Sequence, residues 1–475
     1  MLTYQDFEAA TDREKFIAEA IKEHMNSEEY LLALDADEYD KQRNVTINNY
    51  IQTIFTAYGE PVEDFTAANN RITSNFFHRL NTQRCAYSLG NGVSFSDHVE
   101  KVVDDQGIER SVDRTKEKLG NKFDTDLKKA GYKALIHGVC FGFWNVNRLH
   151  VFPLTQFKPF WDEETGVLRA GIRFWRLDPK KPMTAVLYAE DGYTRYRSGV
   201  GSNNMDFTAV DTKPKPYRTV TARTIADGEY VVGEMNYGTL PVIPLWGSDL
   251  HQSTLVGMRE KIDSFDLIRS GFANDLSDCA QIYWIMENYG GMTTEELTRW
   301  RDRMKITHVV TADTDNGRVT PYTQDIPYQA RQVYLDSIRA GIYEDFGALD
   351  VHTVAAGATN DHIDAAYQPM DENADDFEYQ VIEFVQQVLR LMGIEDTPQF
   401  KRNRVSNQTE QTQMILSAAE YLDLQTLLQK LPFITVDEVQ DVIARRDAEG
   451  RERLDDSEDG NPDEVVMVED KEATP

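Results

Sequence analysis

The chain has 475 residues, and its 50 Lys and Arg against 80 Asp and Glu leave a formal charge of −30. That balance argues against a protein that grips nucleic-acid phosphates by charge, although it suits one past which DNA slides. Three scattered cysteines (Cys85, Cys140, Cys279), a polar acidic start and no apolar run of membrane length predict a soluble protein of a reducing compartment, the cytoplasm, with no signal peptide.

The length predicts two to four domains or lobes. Residues 1 to about 60 read as helical and acidic, with Phe16, Ile17, Ala20, Ile21 and Met25 on one apolar face. A further helix is predicted from Asn70 through Ile72, Phe76 and Leu80 to about Tyr87, where Gly90-Asn-Gly92 breaks it and turns into a strand. Residues 123 to 136 read as a helix, followed by an aromatic hairpin of Cys140 to Val146 and Leu149 to Phe152. Strand signals then dominate at 171–177, 185–188, 193–197 and 230–232, with a loop over 199–216.

The stretch Pro241 to Asp350 organises the rest. A strand, Pro241 to Trp246, leads to a helix expected from about Ser253 to Asp278, about 39 Å long at 1.5 Å per residue. Its apolar stripe is Leu255, Met258, Ile262, Phe265, Phe272 and Leu276. A second helix, from about Pro327 to Phe346, carries Tyr334, Ile338, Ile342 and Phe346 four residues apart. Between them lies an insert with a strand (Ile282 to Met286), a helix opening on the capping box Thr293-Thr-Glu-Glu296, and two strands, Lys305 to Thr311 and Arg318 to Tyr322, around Asn316-Gly317. Two helices flanking an insert make a stalk with a head. Beyond it come a small-residue loop over 347–362, a long helix from about Asp371 to Met392 headed by Asp371, Glu372, Asp375 and Asp376, a strand at 399–405, and helices at 408–429 and 435–448. The acidic tail from Arg451 reads as disordered. The fold class expected is α+β, predominantly helical.

Catalytic motifs fail their context. There is no phosphate-binding Gly-x-x-x-x-Gly-Lys-Ser/Thr loop. Gly138-Val-Cys-Phe-Gly142 imitates a nucleophile elbow, with His137 and His150 nearby, but a helix precedes Cys140 where a strand is needed. The plainer reading is a tight corner with a buried thiol. His352, Asp361, His362 and Asp364 match no compact metal-ligand spacing, and Lys401 to Arg404 reads as a solvated face or as partners for the many acids. No cofactor and no metal are expected.

Four stretches nevertheless form a familiar order: Asn70 to Phe95, ending in Tyr-Ser-Leu-Gly-Asn-Gly-Val; Ala134 to Phe143; Ile172-Arg-Phe-Trp; and Pro241-Val-Ile-Pro running into Lys261 to Asp278. With the acid-headed helix at 371, this set resembles the portal (head-to-tail connector) proteins of long-tailed double-stranded DNA bacteriophages, over about residues 40 to 450. The resemblance implies a wing (1–249, with 362–404), two stem helices (250–278 and 324–349), a clip (279–323), a tunnel loop (350–361) and crown helices (405–450). It implies a closed ring of twelve copies at one capsid vertex of the virion, assembled in the host cytoplasm, through which DNA is packaged and ejected. It implies as partners the terminase large subunit, a head-completion or adaptor protein, and the major capsid and scaffolding proteins, with no membrane and no enzymatic activity. The tunnel loop would present Val351, His352, Thr353, Asn360, Asp361 and His362 to DNA, although relatives usually carry Ser-Gly where this chain has Asn360-Asp-His362. Met258, Ile262, Phe265, Phe272, Tyr334, Ile338, Ile342 and Phe346 would pack the stem. The competing reading is a cytosolic hydrolase dependent on Cys140.

Overall fold

The structure is a computed structural model that describes residues 2–55, 59–63, 68–103, 109–201, 205–224, 228–279, 283–287, 293–307, 318–322, 328–350, 360–404 and 408–417, with 427 and 442. The chain divides into two compact units, Met1–Leu349 with Pro369–Asn403, and Asp350–Gln368 with Arg404–Pro475.

Helices α1 (Tyr4–Ala9), α2 (Arg13–Met25), α3 (Glu28–Asp40) and α4 (Val45–Asn48) each start on a side chain that accepts a backbone N–H: Thr3, Asp12, Ser27 and Asn44. Phe7, Phe16, Ile17, Ala20 and Ile21 form one core with Phe160, Ala170, Ile172 and Phe174. Helix ends at Asn48, and β1 (Thr53–Phe55) and β2 (Pro61–Glu63) follow as an antiparallel hairpin, so the helical expectation to residue 60 runs too far.

The helix predicted from Asn70 begins only at Phe76: α5 is Phe76–Leu89. Residues 70–74 lie outside it because other side chains take the N–H groups of Asn70, Ile72 and Ser74. Strand β3 (Val93–Phe95) follows the Gly90–Gly92 break, then β4 (Val99–Val103), β5 (Glu109–Asp113), α6 (Arg114–Leu119) and α7 (Phe123–His137). The aromatic hairpin is β6 (Val139–Asn145) and β7 (Arg148–Pro153). After a 3-10 turn at Leu154–Gln156 come β8 (Phe157–Trp161), β9 (Leu168–Trp175), β10 (Thr184–Ala189), β11 (Gly192–Ser198) and β12 (Phe207–Ala209), in the sheet order β12-β11-β10-β9-β8. Strand β12 interrupts the loop expected over 199–216, because buried Phe207 adds it to the sheet edge. A separate hairpin, β13 (Arg218–Thr224) and β14 (Gly228–Met235), leads to β15 (Val242–Trp246), which completes the sheet β15-β6-β7.

The first long helix, α8, spans Arg259–Cys279, later than the expected start near Ser253. Gly257, at φ +79°, holds the preceding residues in turns. In the insert, β16 (Tyr283–Glu287) pairs with β17 (Arg318–Tyr322). Helix α9 (Thr294–Thr307) takes up Lys305 to Thr307, which the sequence reading placed in a strand. The capping box forms, with Glu296 N–H donating to Thr293 Oγ1 and Thr293 N–H to Glu296 Oε2, and Leu297, Trp300 and Met304 recur at helical spacing. The Asn316-Gly317 turn lies outside the described residues.

Helix α10 is Tyr328–Phe346. Helix α11 is Asn360–Met392, starting well before Asp371 and tolerating Pro369 inside it. Its apolar spacing, through Ile363, Tyr367, Met370, Ala374, Phe377 and Val381, extends back past the proline and carries the helix with it. Strand β18 (Pro398–Phe400) pairs with β3, and 401–404, expected as strand, leave it. In the second unit α12 is Gln408–Ser417; the predicted helix at 435–448, apart from residue 442, and the acidic tail lie outside the described residues.

The central core joins α5, α7, β6 and β15 to α11 through Leu127, Trp144, Leu245, Phe377, Val381, Phe384 and Val388. A Cβ on Gly142 would stand 2.4 Å from Phe384 Cζ, so glycine there lets α11 sit against β6.

Candidate functional site

The paired helices α8 and α10 form the most distinctive feature. At one end Leu255, Met258 and Ile262 meet Ile342, Tyr343 and Phe346 in a cluster with Tyr39, Phe77, Leu80 and Ile136. Phe76 stands edge-on to Phe265 at 5.0 Å and to Tyr343 at 6.1 Å. Further along, burial fades: Phe265 and Ile338 are half-covered, as is Phe272, over whose ring Arg331 lies at 5.7 Å. Tyr334 is 49 % and Leu276 55 % exposed, and a groove of about 620 Å3 opens there between Tyr50, Leu267, Gly271, Ala330 and Tyr334. Three of the cations along the pair are matched with acids: Arg259 with Asp35 at 2.9 Å, Lys261 with Asp345, and Arg331 with Asp275.

Beside this apolar stripe α8 carries a polar column. Asp263 accepts from Tyr39 and Thr46 hydroxyls, and buried Asp266 accepts from Asn44 Nδ2 and Ser74 N–H, each at 2.9 Å. Ser270 Oγ accepts from Ile72 N–H at 3.0 Å, and Asn274 Oδ1 from Asn70 N–H at 2.6 Å. Burial raises the Asp266 pKa, and the hydrogen bonds from Asn44 and Ser74 offset part of the rise. A helix rises about 6 Å in four residues and an extended chain about 6.7 Å in two. The column at 266, 270 and 274 therefore matches the backbone at 74, 72 and 70.

Of the expected channel-loop residues, Val351, His352 and Thr353 lie outside the described residues. Asn360, Asp361 and His362 belong to the first turn of α11 rather than to a loop, and His362 is exposed. The four acids expected at that helix's start sit in its middle instead. There two of them, with Glu378, serve Arg402, whose guanidinium meets Asp371 at 3.0 Å, Glu378 at 2.9 Å, and Asp375. Tyr87 donates its hydroxyl to the same Asp371 at 2.6 Å. Hydrogen bonding to Glu378 leads the causes that raise the Arg402 pKa.

Cys140 has none of the setting of a nucleophile. Helix α7 runs into β6 through Gly138 at φ +87°, the reverse of an elbow. The thiol is fully buried, bonds to Phe152 O at 3.4 Å, and is pushed by burial up to about 12, so it carries no thiolate near neutrality. His137 Nε2 is engaged by Asp37 at 2.9 Å, and burial lowers its pKa. Asp364 pairs with Arg404 at 3.2 Å in the second unit, and no group of three or more His, Cys, Asp or Glu among the described residues is placed to hold a metal. No helix among them is long and apolar enough to cross a membrane.

Sequence reading missed the strap over 70–74, whose only signal was polar residues at helical spacing, Asp266/Ser270/Asn274, which look like any solvated helix face. It offered Lys401 to Arg404 as partners for acids, which Arg402 bears out, without saying that Asp371, Asp375 and Glu378 are those acids.

The sequence pattern of the family described as "Phage portal protein, SPP1 Gp6-like" matches residues 31–453. The chain is 23 % identical over 425 residues to the portal protein of Bacillus phage SPP1, covering 81 % of this chain and 77 % of that one. It is 25 % identical over 223 residues to the portal protein of Clostridium phage phiCD119, covering 45 % and 49 %.

Proposed function

This chain belongs to the SPP1 Gp6-like family of phage portal proteins, and on that premise we propose that twelve copies close into a ring whose channel passes double-stranded DNA during packaging and ejection. In this reading α8 and α10 are the stem, the insert at 279–323 is the clip, residues 1–249 with 362–404 are the wing, the stretch 350–361, whose last two residues open α11, supplies the tunnel loop, and the helices from 405 are the crown. The observation that carries it is the unfinished apolar stripe. It is covered at Ile342 and open at Tyr334 and Leu276 within one chain. Apolar surface of that extent on a helix pair calls for a neighbour. A head-to-tail contact that closes on itself gives a ring.

The charge suits the role. A ring of chains at −30 each repels phosphate, and three of the stem cations, Arg259, Lys261 and Arg331, are already neutralised by carboxylates. The protein then acts as channel and docking platform and catalyses nothing itself. The terminase large subunit and later a head-completion protein meet the clip, and capsid and scaffolding proteins meet the wing, at the portal vertex of the virion after assembly in the host cytoplasm.

Native mass spectrometry with electron images tests this. The expected particle has a central hole and a mass near twelve times the 54.4 kDa chain. Monomers or dimers that persist when capsid and scaffolding proteins are added would refute it.

A further inference from the structure

The polar column of α8 does more than brace a helix. Asp266, Ser270 and Asn274 are each at least nine-tenths buried, and between them they take alternate N–H groups of residues 74, 72 and 70. Ser270 Oγ also donates to Ile72 O at 3.4 Å, and Asn70 Nδ2 to Ser277 Oγ at 3.3 Å. The strap itself, Asn-Arg-Ile-Thr-Ser, contributes almost no apolar area, since only Ile72 is a large apolar residue and it is half-buried. It is held by hydrogen bonds at the edge of solvent. On its departure Ser270 and Asn274 turn to water for partners, while Asp266 keeps Asn44.

The two ends of the strap differ. Toward residue 76 it enters α5, whose Phe77 and Leu80 are fixed in the apolar cluster. Toward residue 69 it leads to the β1–β2 hairpin, whose Phe55 is 74 % exposed. Arg71 closes the neck of that excursion by donating to Asn48 O at 2.6 Å and Tyr50 O at 3.2 Å. Whatever frees the strap therefore frees the neck of the hairpin and leaves α5 in place.

We propose that residues 70–74 are a releasable clasp, docked on the Asp266–Ser270–Asn274 column, that couples the position of the β1–β2 hairpin to α8. Segments with few buried apolar contacts and backbone bonds close to water open at the low end of a protein's range of local stabilities. The clasp fits that description and α5, whose Phe77 and Leu80 are buried, does not.

Hydrogen–deuterium exchange on the full-length protein tests the clasp without any variant. Amides of the strap are expected to exchange about a hundredfold faster than those in the middle of α5. Exchange of the two segments in step would overturn the proposal. Ser270→Ala with Asn274→Ala is expected to speed the strap about tenfold further and leave α5 and α7 unchanged; no change in the strap would equally count against it. A reversible lock then tests use: Asn70→Cys with Ser277→Cys, in a Cys279→Ser background. The use of the clasp in DNA passage rests on the portal reading, so packaging by the reduced protein is the control for that reading. Oxidation is expected to cut packaging at least about tenfold, with recovery on reduction. Full packaging by the cross-linked protein would sink the clasp as a moving part.

Discussion

The sheet body and the helix pair bury their apolar residues in different ways. In the body, Phe160, Ala170 and Ile172 of the five-stranded sheet, and Trp144 and Leu245 of the three-stranded one, are all covered by the same chain, through α2, α7 and α11. In the helix pair an equally regular stripe is covered only at the end that meets α3, α5 and α7. Amphipathic spacing states that a face seeks cover and does not state whose. The body answers from within; the far half of α8 and α10 is left to another surface.

Four changes break or sharpen this contrast. The largest effect is expected at the covered end. Ile342→Asp buries an unpaired charge among Met258, Ile262 and Phe346, at a cost of about 4 kcal/mol. Urea denaturation should show that loss, and a midpoint close to wild type would mean that this end of the pair is not part of the core.

Next is Arg402→Ala, which leaves Asp371, Asp375 and Glu378 facing each other. A loss of about 2 kcal/mol is expected, smaller in high salt, read from thermal unfolding at two ionic strengths. An unchanged Tm at low salt would reduce the knot to a surface pairing.

The seam between α3 and α7 comes third. Burial acts to raise the Asp37 pKa, yet the His137 hydrogen bond and the Lys133 ammonium at 2.6 Å bring it from 3.8 to about 2. A depressed carboxyl stabilises the fold above its unfolded pKa and loses that contribution as pH falls through the folded one. About 2 kcal/mol should therefore disappear between pH 3.8 and 2, and Asp37→Asn should remove that part of the acid dependence. Parallel acid-unfolding curves for both proteins would contradict the assignment.

The smallest effect on the chain is expected from Tyr334→Asp, at the open end. A side chain 49 % exposed should change chain stability by less than about 0.5 kcal/mol. The same substitution should abolish the ring in native mass spectrometry. Intact rings would show that the open half of the stripe is not where copies meet.

Much of the molecule was legible from local chemistry. Helix α10 and the body of α8 followed from apolar residues three and four apart, the β6–β7 hairpin from its aromatic alternation, and α9 from its capping box. The Cys140 corner was read correctly because the order of helix and strand is itself a sequence property. The candidate site was legible only on its apolar side. Its polar side was not, because Asp266, Ser270 and Asn274 carry no mark of whether water or another backbone segment sits on them.

By itself, then, the sequence determined the family, the helix pair and which of its faces are apolar, since periodicity and turn chemistry act between residues close along the chain. The tertiary structure decided that residues 70–74 stay extended, that α11 begins before its proline, that its Asp371 and Asp375 serve Arg402 rather than a helix end, and that β17 pairs with β16. Each of those outcomes depends on partners distant in sequence. A polar side chain or a backbone N–H accepts whichever group the fold brings within reach, and the local pattern does not record that choice.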